Sequence, residues 1–188
     1  MISKIHICAV LLACSVNRTL ATICLTTSFI WPITESNAQT TIPPEAPVAA
    51  TLSLQYGSDI SMESANKALD AAMAHAQKNK WTVTIVVVDA GGRIVALSRM
   101  DGAHKATPDF ALAKADSAVM TKRSTKIFSD QLTGGRNAVL GFVNLHVHSA
   151  EGGEVILQGG KIVGAIGVAG VTQQQDREAA LAGVAAVN

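Results

Sequence analysis

The chain has 188 residues, 48% of them hydrophobic and 15% charged, which suits one folded domain plus a leader. A formal net charge of +1, with no phosphate-tracking basic run and no aromatic platform, argues against a nucleic-acid partner. All three cysteines, Cys8, Cys14 and Cys24, precede Gln39, so thiol catalysis, cysteine-bound zinc and internal disulfides are excluded from the rest of the chain.

Residues 1–38 read as a signal peptide. Lys4 and Arg18 supply positive charge, residues 5–13 and 20–31 are apolar, and Ser36-Asn37-Ala38 places small residues where a signal peptidase cuts, before Gln39. Leu11-Leu12-Ala13-Cys14 resembles a lipoprotein cleavage site, and an uncleaved anchor is a further alternative. Neither apolar run reaches the ~18 residues of a stable membrane span. The expectation is a periplasmic or secreted protein with no transmembrane span after leader removal. Lys4, Arg18 and Glu35 precede Gln39, so of 15 basic and 14 acidic residues 13 of each remain and cancel. Residues 39–51, with Pro43, Pro44 and Pro47, read as a proline-rich linker, and residues 52–188 as the domain.

Ser58, Asp59 and Ser61 offer N-cap oxygens to a first helix whose apolar stripe runs Met62, Ala65, Leu69, Ala72, Met73 and Ala76, with Asn79 ending it. Residues 81–88 form a β-branched run, continuous enough for a strand covered on both faces. Asp89-Ala90-Gly91-Gly92 then turns the chain into a returning strand at 94–97. Thr107-Pro108 reads as a capping hydroxyl followed by a proline at the first helical position. The helix continues over 110–121, and 127–132 extends it after a break. Residues 133–153 read as a long irregular connection. Short strands at 155–157 and 162–168 pair through Gly159-Gly160. A last helix over 173–187 has Ala179, Leu181, Ala182, Val184 and Ala185 as its expected buried side. Helices alternating with hairpins predict an α/β (α+β) fold with a mainly antiparallel sheet.

The stretch Val87-Val88-Asp89-Ala90-Gly91-Gly92 followed by Arg99-Met100-Asp101-Gly102-Ala103 resembles the GlcG/HbpS-like haem-binding family. The likeness continues through Lys114-Ala115, Arg123-Ser124-Thr125, Gly152-Gly153, Gly164-Ala165-Ile166-Gly167-Val168, Gln175-Asp176 and Ala182-Gly183, spanning about residues 52–187. The chain departs from the pattern at Glu154-Val155 and at Ala169-Gly170-Val171, which bears on the ligand more than on the fold. The resemblance implies a profilin-like three-layer α/β/α fold with a five-stranded antiparallel sheet, a homo-oligomer, and haem or iron as partner.

Haem iron takes an axial donor such as His, Met or Tyr. The domain offers His75, His104, His146 and His148, with Met62, Met73, Met100, Met120 and Tyr56. His146 and His148 are also the candidate metal pair, because alternate residues of a strand share a face. The alternative is an exposed connection with no role. Arg99 and Arg123 are candidates for haem propionates, since guanidinium matches carboxylate geometry, although Arg99-Met100-Asp101 also suits a structural pairing in the loop. Asp89 and Asp176 read as turn and helix-start caps. Gly164, Gly167 and Gly170 lack dinucleotide spacing and mark close backbone approach. No catalytic group stands out. The expected function is an exported, oligomeric haem- or iron-binding protein. The alternatives are an enzyme or accessory acting on haem or a small metabolite, and a ligand-sensing partner of a membrane sensor.

Overall fold

The structure is a computed structural model and describes residues 53–187, apart from the side chains of 143 and 144. The expected signal peptide and linker therefore lie outside the described residues.

Helix α1 spans Met62–Lys78. Ser61 caps it, its hydroxyl accepting from the Ser64 N–H at 3.2 Å. Ala65, Ala68, Leu69, Ala72 and Ala76 form its buried stripe, while Met62 is 69% exposed and falls outside it. Strands β1 (Thr84–Asp89) and β2 (Ile94–Arg99) follow. In the turn between them the Asp89 carboxylate accepts the N–H groups of Gly91 (2.8 Å) and Arg93 (2.9 Å), which confirms its capping role.

Helix α2 spans Thr107–Thr121. Its N-cap is Ala106, without a side-chain bond. The Thr107 hydroxyl lies inside the first turn instead, donating to the His104 carbonyl at 2.8 Å and meeting the Thr84 hydroxyl at 2.6 Å. Lys122 adopts a left-handed conformation (φ 58°) and ends α2. Helix α3 (Lys126–Thr133) is the expected extension after a break, and a 3₁₀ segment (Asn137–Leu145) occupies part of the stretch read as irregular. Strands β3 (Gly153–Gln158) and β4 (Lys161–Ala169) are joined by Gly159 and Gly160, both at positive φ, as a tight hairpin of twisted strands requires. Helix α4 (Gln173–Ala185) opens with a capping box between Thr172 and Gln175. It buries Ala179, Ala180 and Gly183, so its inner face is rotated from the expected one and Leu181 points outward.

Among the described residues the sheet has four strands in the order β2-β1-β4-β3, all antiparallel. The five-stranded expectation is thus corrected. Among the described residues before α1, Tyr56 forms one isolated parallel bridge to Ile162 of β4, beyond the point where β1 ends against Gly164. Hydrogen bonds from Gly57 N–H to the Ile162 carbonyl, from Ile162 N–H to the Gln55 carbonyl and from Ile60 N–H to the Val163 carbonyl hold it there, and among the described residues no second bridge forms.

Alternation in β1 sends Ile85 and Val87 to a core shared with α1 and α4, and Val86 and Val88 to a core under α2. The sheet is therefore covered on both faces, giving three layers. The α2 side depends on Gly167: a Cβ there would overlap the Ala111 carbonyl oxygen, so only glycine lets the helix lie this close.

Candidate functional site

Three elements converge on a buried ion pair. Lys114 of α2 lies in the stripe with Ala111, Ala115 and Ala118 and is carried inward with them. Its Nζ donates to Asp176 Oδ2 at 2.7 Å and to the Val168 carbonyl at 2.9 Å. Asp176 Oδ1 accepts the Val171 N–H at 3.1 Å. Both side chains are 4% exposed. Burial pushes Lys114 below the usual lysine range against the pull of Asp176, and pushes Asp176 above the usual carboxylate range against the pull of Lys114. Gly152 (φ 114°) closes over the pair, and a Cβ on it would stand 2.7 Å from the Val168 carbonyl oxygen and 3.1 Å from Nζ. Beside it, Glu154 bonds Ser124 Oγ (2.7 Å) and Arg177 Nε (3.0 Å), and burial still raises its carboxyl pKa.

Residues 146–148 are tied to α2 through Ser117. His148 N–H donates to Ser117 Oγ at 2.6 Å, and the Ala150 N–H donates to His148 Nδ1 at 3.1 Å. Burial first, and then the Lys114 charge, hold the His148 imidazole below the usual histidine range. Phe110, 46% exposed, stands edge-on between two imidazoles, with centroids 5.8 Å from His148 and 6.2 Å from His104.

At the other end of α2, an open groove of ≈ 430 Å³ separates the helix from α3 and the 3₁₀ segment. That volume lies in the ~300–1,000 Å³ range of small-molecule sites. Phe128 and Phe142, edge-to-face at 6.1 Å, make its walls with Leu145 and Val147. Met120, 61% exposed, and the cations Lys122 and Arg123 complete its lining. Lys122 is already engaged, with Nζ on the Leu54 carbonyl (2.8 Å) and 4.6 Å over the Tyr56 ring. The Tyr56 hydroxyl in turn donates to the Val119 carbonyl at 2.9 Å. Arg123 donates only its Nε, to the Thr121 carbonyl at 3.1 Å, leaving its terminal nitrogens without a partner among the described residues.

The residues singled out in the sequence fall into separate places. Arg123 lines the groove. His104 and His148 flank Phe110. Arg99 ends β2 and donates Nη2 to the Ala103 carbonyl at 2.5 Å, a structural bond within the loop. His75 lies on α1, on the opposite layer, tilted against Trp81 at 5.5 Å, and its Nε2 is buried without a hydrogen-bond partner. The strand that would align His146 and His148 is absent: the segment follows the 3₁₀ turn, His146 is exposed in a left-handed conformation (φ 60°), and His148 is half-buried. Among the described residues, no three His, Cys, Asp or Glu side chains gather as a metal site. Met100 is taken up by a contact of its Sδ with the Val83 N–H (3.5 Å), whereas Met120 stands open in the groove. Ser117 and the Phe128–Phe142 pair were not singled out, and Lys114 was named only within the family likeness, with no role. Only Lys114 left a signal, a cation at a stripe position among alanines. Among the described residues, no helix is long and apolar enough to cross a membrane.

Comparison with known proteins places these features in context. Protein GlcG of Escherichia coli is 37% identical over 110 residues, which cover 58% of this chain and 80% of that protein. A solved structure described as a PduOC:heme complex superposes with a TM-score of 0.64 at 27% identity, covering 69% of this chain and 96% of that one. A double mutant of HbpS from Streptomyces reticuli does so with a TM-score of 0.63 at 29% identity, covering 72% and 91%. Residues 60–185 match the model of the family described as haem degrading protein HbpS-like, and the chain belongs to this HbpS-like family.

Proposed function

We propose that this protein binds haem in the groove at the C-terminal end of α2. The observation that carries this reading is the groove itself: aromatic and aliphatic walls, an open thioether and an uncommitted guanidinium meet in one place. Those residues fit a flat, apolar dicarboxylate. Phe128, Phe142, Leu145 and Val147 exclude water from its faces. Arg123 pairs with a propionate through its free terminal nitrogens. Met120 Sδ offers an axial donor. Haem itself supplies an iron centre open to such donors. The HbpS-like family, and a neighbour solved as a haem complex, support the assignment. We also read the protein as exported through residues 1–38. Its function as a homo-oligomer is supported by Ile94 and Leu97, exposed on the edge strand β2.

Titration of the purified protein with haemin tests the proposal. A saturable, shifted Soret band is expected, and its absence removes the assignment. The second reading, haem breakdown, is supported by the description of the family. The same sample then loses its Soret band with time in the presence of a reductant, whereas simple binding leaves the band stable.

A further inference from the structure

The two edges of the sheet are finished differently. At the outer edge of β3, Thr125 closes the start of the strand: its N–H donates to the Gly153 carbonyl at 3.0 Å, and its Oγ1 accepts the Gly153 N–H at 3.0 Å. The β2 edge carries no such closure. The Met100 N–H donates to the Val83 carbonyl at 3.0 Å, and hydrogen-bonded pairs alternate along an antiparallel ladder, so Ser98 and Ala96 also turn their backbone groups toward β1. Leu97 and Arg99 turn theirs outward, and among the described residues no other backbone segment meets them. The side chain in the middle of this bare stretch is apolar as well. Leu97 stands opposite Val86 and so lies on the α2 face of the sheet, yet it is 46% exposed. β2 holds neither proline nor lysine, the residues that commonly blunt an edge. The bulge at Val95, where Val87 faces Ala96 and Val88 faces Ile94, lies to one side of Leu97. The charges flanking the strand are opposite: exposed Arg93 precedes it and exposed Asp101 follows it. Running β2 antiparallel to a copy of itself brings Arg93 of each chain to the end where Asp101 of the other stands. The edge is thus complementary to itself, as a twofold contact requires.

We infer that a second copy of this chain docks along β2, antiparallel, with Leu97 facing Leu97 at the twofold axis and the two sheets joined edge to edge. This rests on the homo-oligomer reading and names its contact. The outward N–H and carbonyl of Leu97 then exchange bonds with those of the second copy, and the two leucines cover one another. Analytical ultracentrifugation of the native chain is expected to show an oligomer. A monomer sinks the homo-oligomer reading and the contact with it. Leu97→Lys, checked for folding by circular dichroism, sets two ammonium groups against each other at the axis and is expected to halve the sedimenting mass. Leu97→Cys, treated with a short bismaleimide, is expected to yield a peptide linked from 97 to 97, identified by mass spectrometry and so kept apart from links through Cys8, Cys14 or Cys24. Gln158→Cys, exposed at the end of β3, is expected to yield no self-link. In a chain that is oligomeric, either an absent 97–97 link or an unchanged mass of folded Leu97→Lys overturns the inference and leaves the homo-oligomer reading standing. Should Leu97→Lys fail to fold, the 97–97 link alone decides.

Discussion

Replacing Lys114 by methionine keeps the length of the side chain and removes its charge. The Nζ of Lys114 is the partner of Asp176 at 2.7 Å and of the Val168 carbonyl at 2.9 Å, in a site where both side chains are 4% exposed. The substitution leaves a buried carboxylate facing apolar surface, with the Val171 N–H still on its other oxygen. Breaking one side of a buried pair costs about 3–5 kcal/mol. For a domain of this size that is a fall in Tm of about 12–20 °C, taking about 4 °C per kcal/mol. Thermal unfolding followed by circular dichroism measures it, with a double-mutant cycle through Asp176→Asn. The single variants should each lose stability, and the double variant should lose clearly less than the two losses combined. A Lys114→Met protein within about 1 kcal/mol of the native chain, or fully additive losses, would refute the reasoning.

Other outcomes follow from single contacts. Gly167→Ala should cost about 3 kcal/mol in urea unfolding, because its Cβ meets the backbone of α2 at Ala111 and not a side chain that can swing aside. Thr172→Ala should cost about 1 kcal/mol through loss of the α4 capping box. Asp116 keeps one buried oxygen without a partner, and burial raises its pKa although Arg93 draws it down. Its native-state pKa therefore exceeds the unfolded one, so the associated stability is present below the ordinary carboxylate pKa and is lost as pH rises through the folded value. Asp116→Asn should accordingly gain Tm over the native chain at about pH 7 and show no gain at about pH 3, as checked by thermal melts. Arg123→Ala should weaken haemin binding by about tenfold at low salt, and by less at high salt, in Soret titrations.

The hairpins were legible because their turns carry the chemistry that reverses a chain: Asp89 ahead of Gly91-Gly92, and Gly159-Gly160. The extra strand came from the family resemblance, and in this chain the segment around Tyr56 meets β4 only where β1 has already ended. Burial on α4 was misplaced by about one position because hydrophobicity favoured Leu181, whereas packing against α1 favours Gly183: a Cβ there would crowd the Ala68 carbonyl. The candidate site was less legible. Its walls, Phe128 and Phe142, come from elements separated by a turn that no local periodicity announces. The His146–His148 pairing assumed a strand period that the 3₁₀ segment and the left-handed His146 interrupt. Arg123 was identified by its ionic chemistry, and its position beside Met120 only by the fold.

Alanines line the inward faces of all three packed long helices: Ala65, Ala68, Ala72 and Ala76 on α1, Ala111, Ala115 and Ala118 on α2, and Ala179 and Ala180 on α4, each wholly inaccessible to solvent. Such an interior has little left to lose by truncation and almost no slack for growth. The usual mutational asymmetry is then inverted: added methyl groups, and not deleted ones, are the hazard, so drift toward bulkier aliphatics along these faces is closed to the sequence unless helix and sheet move apart together.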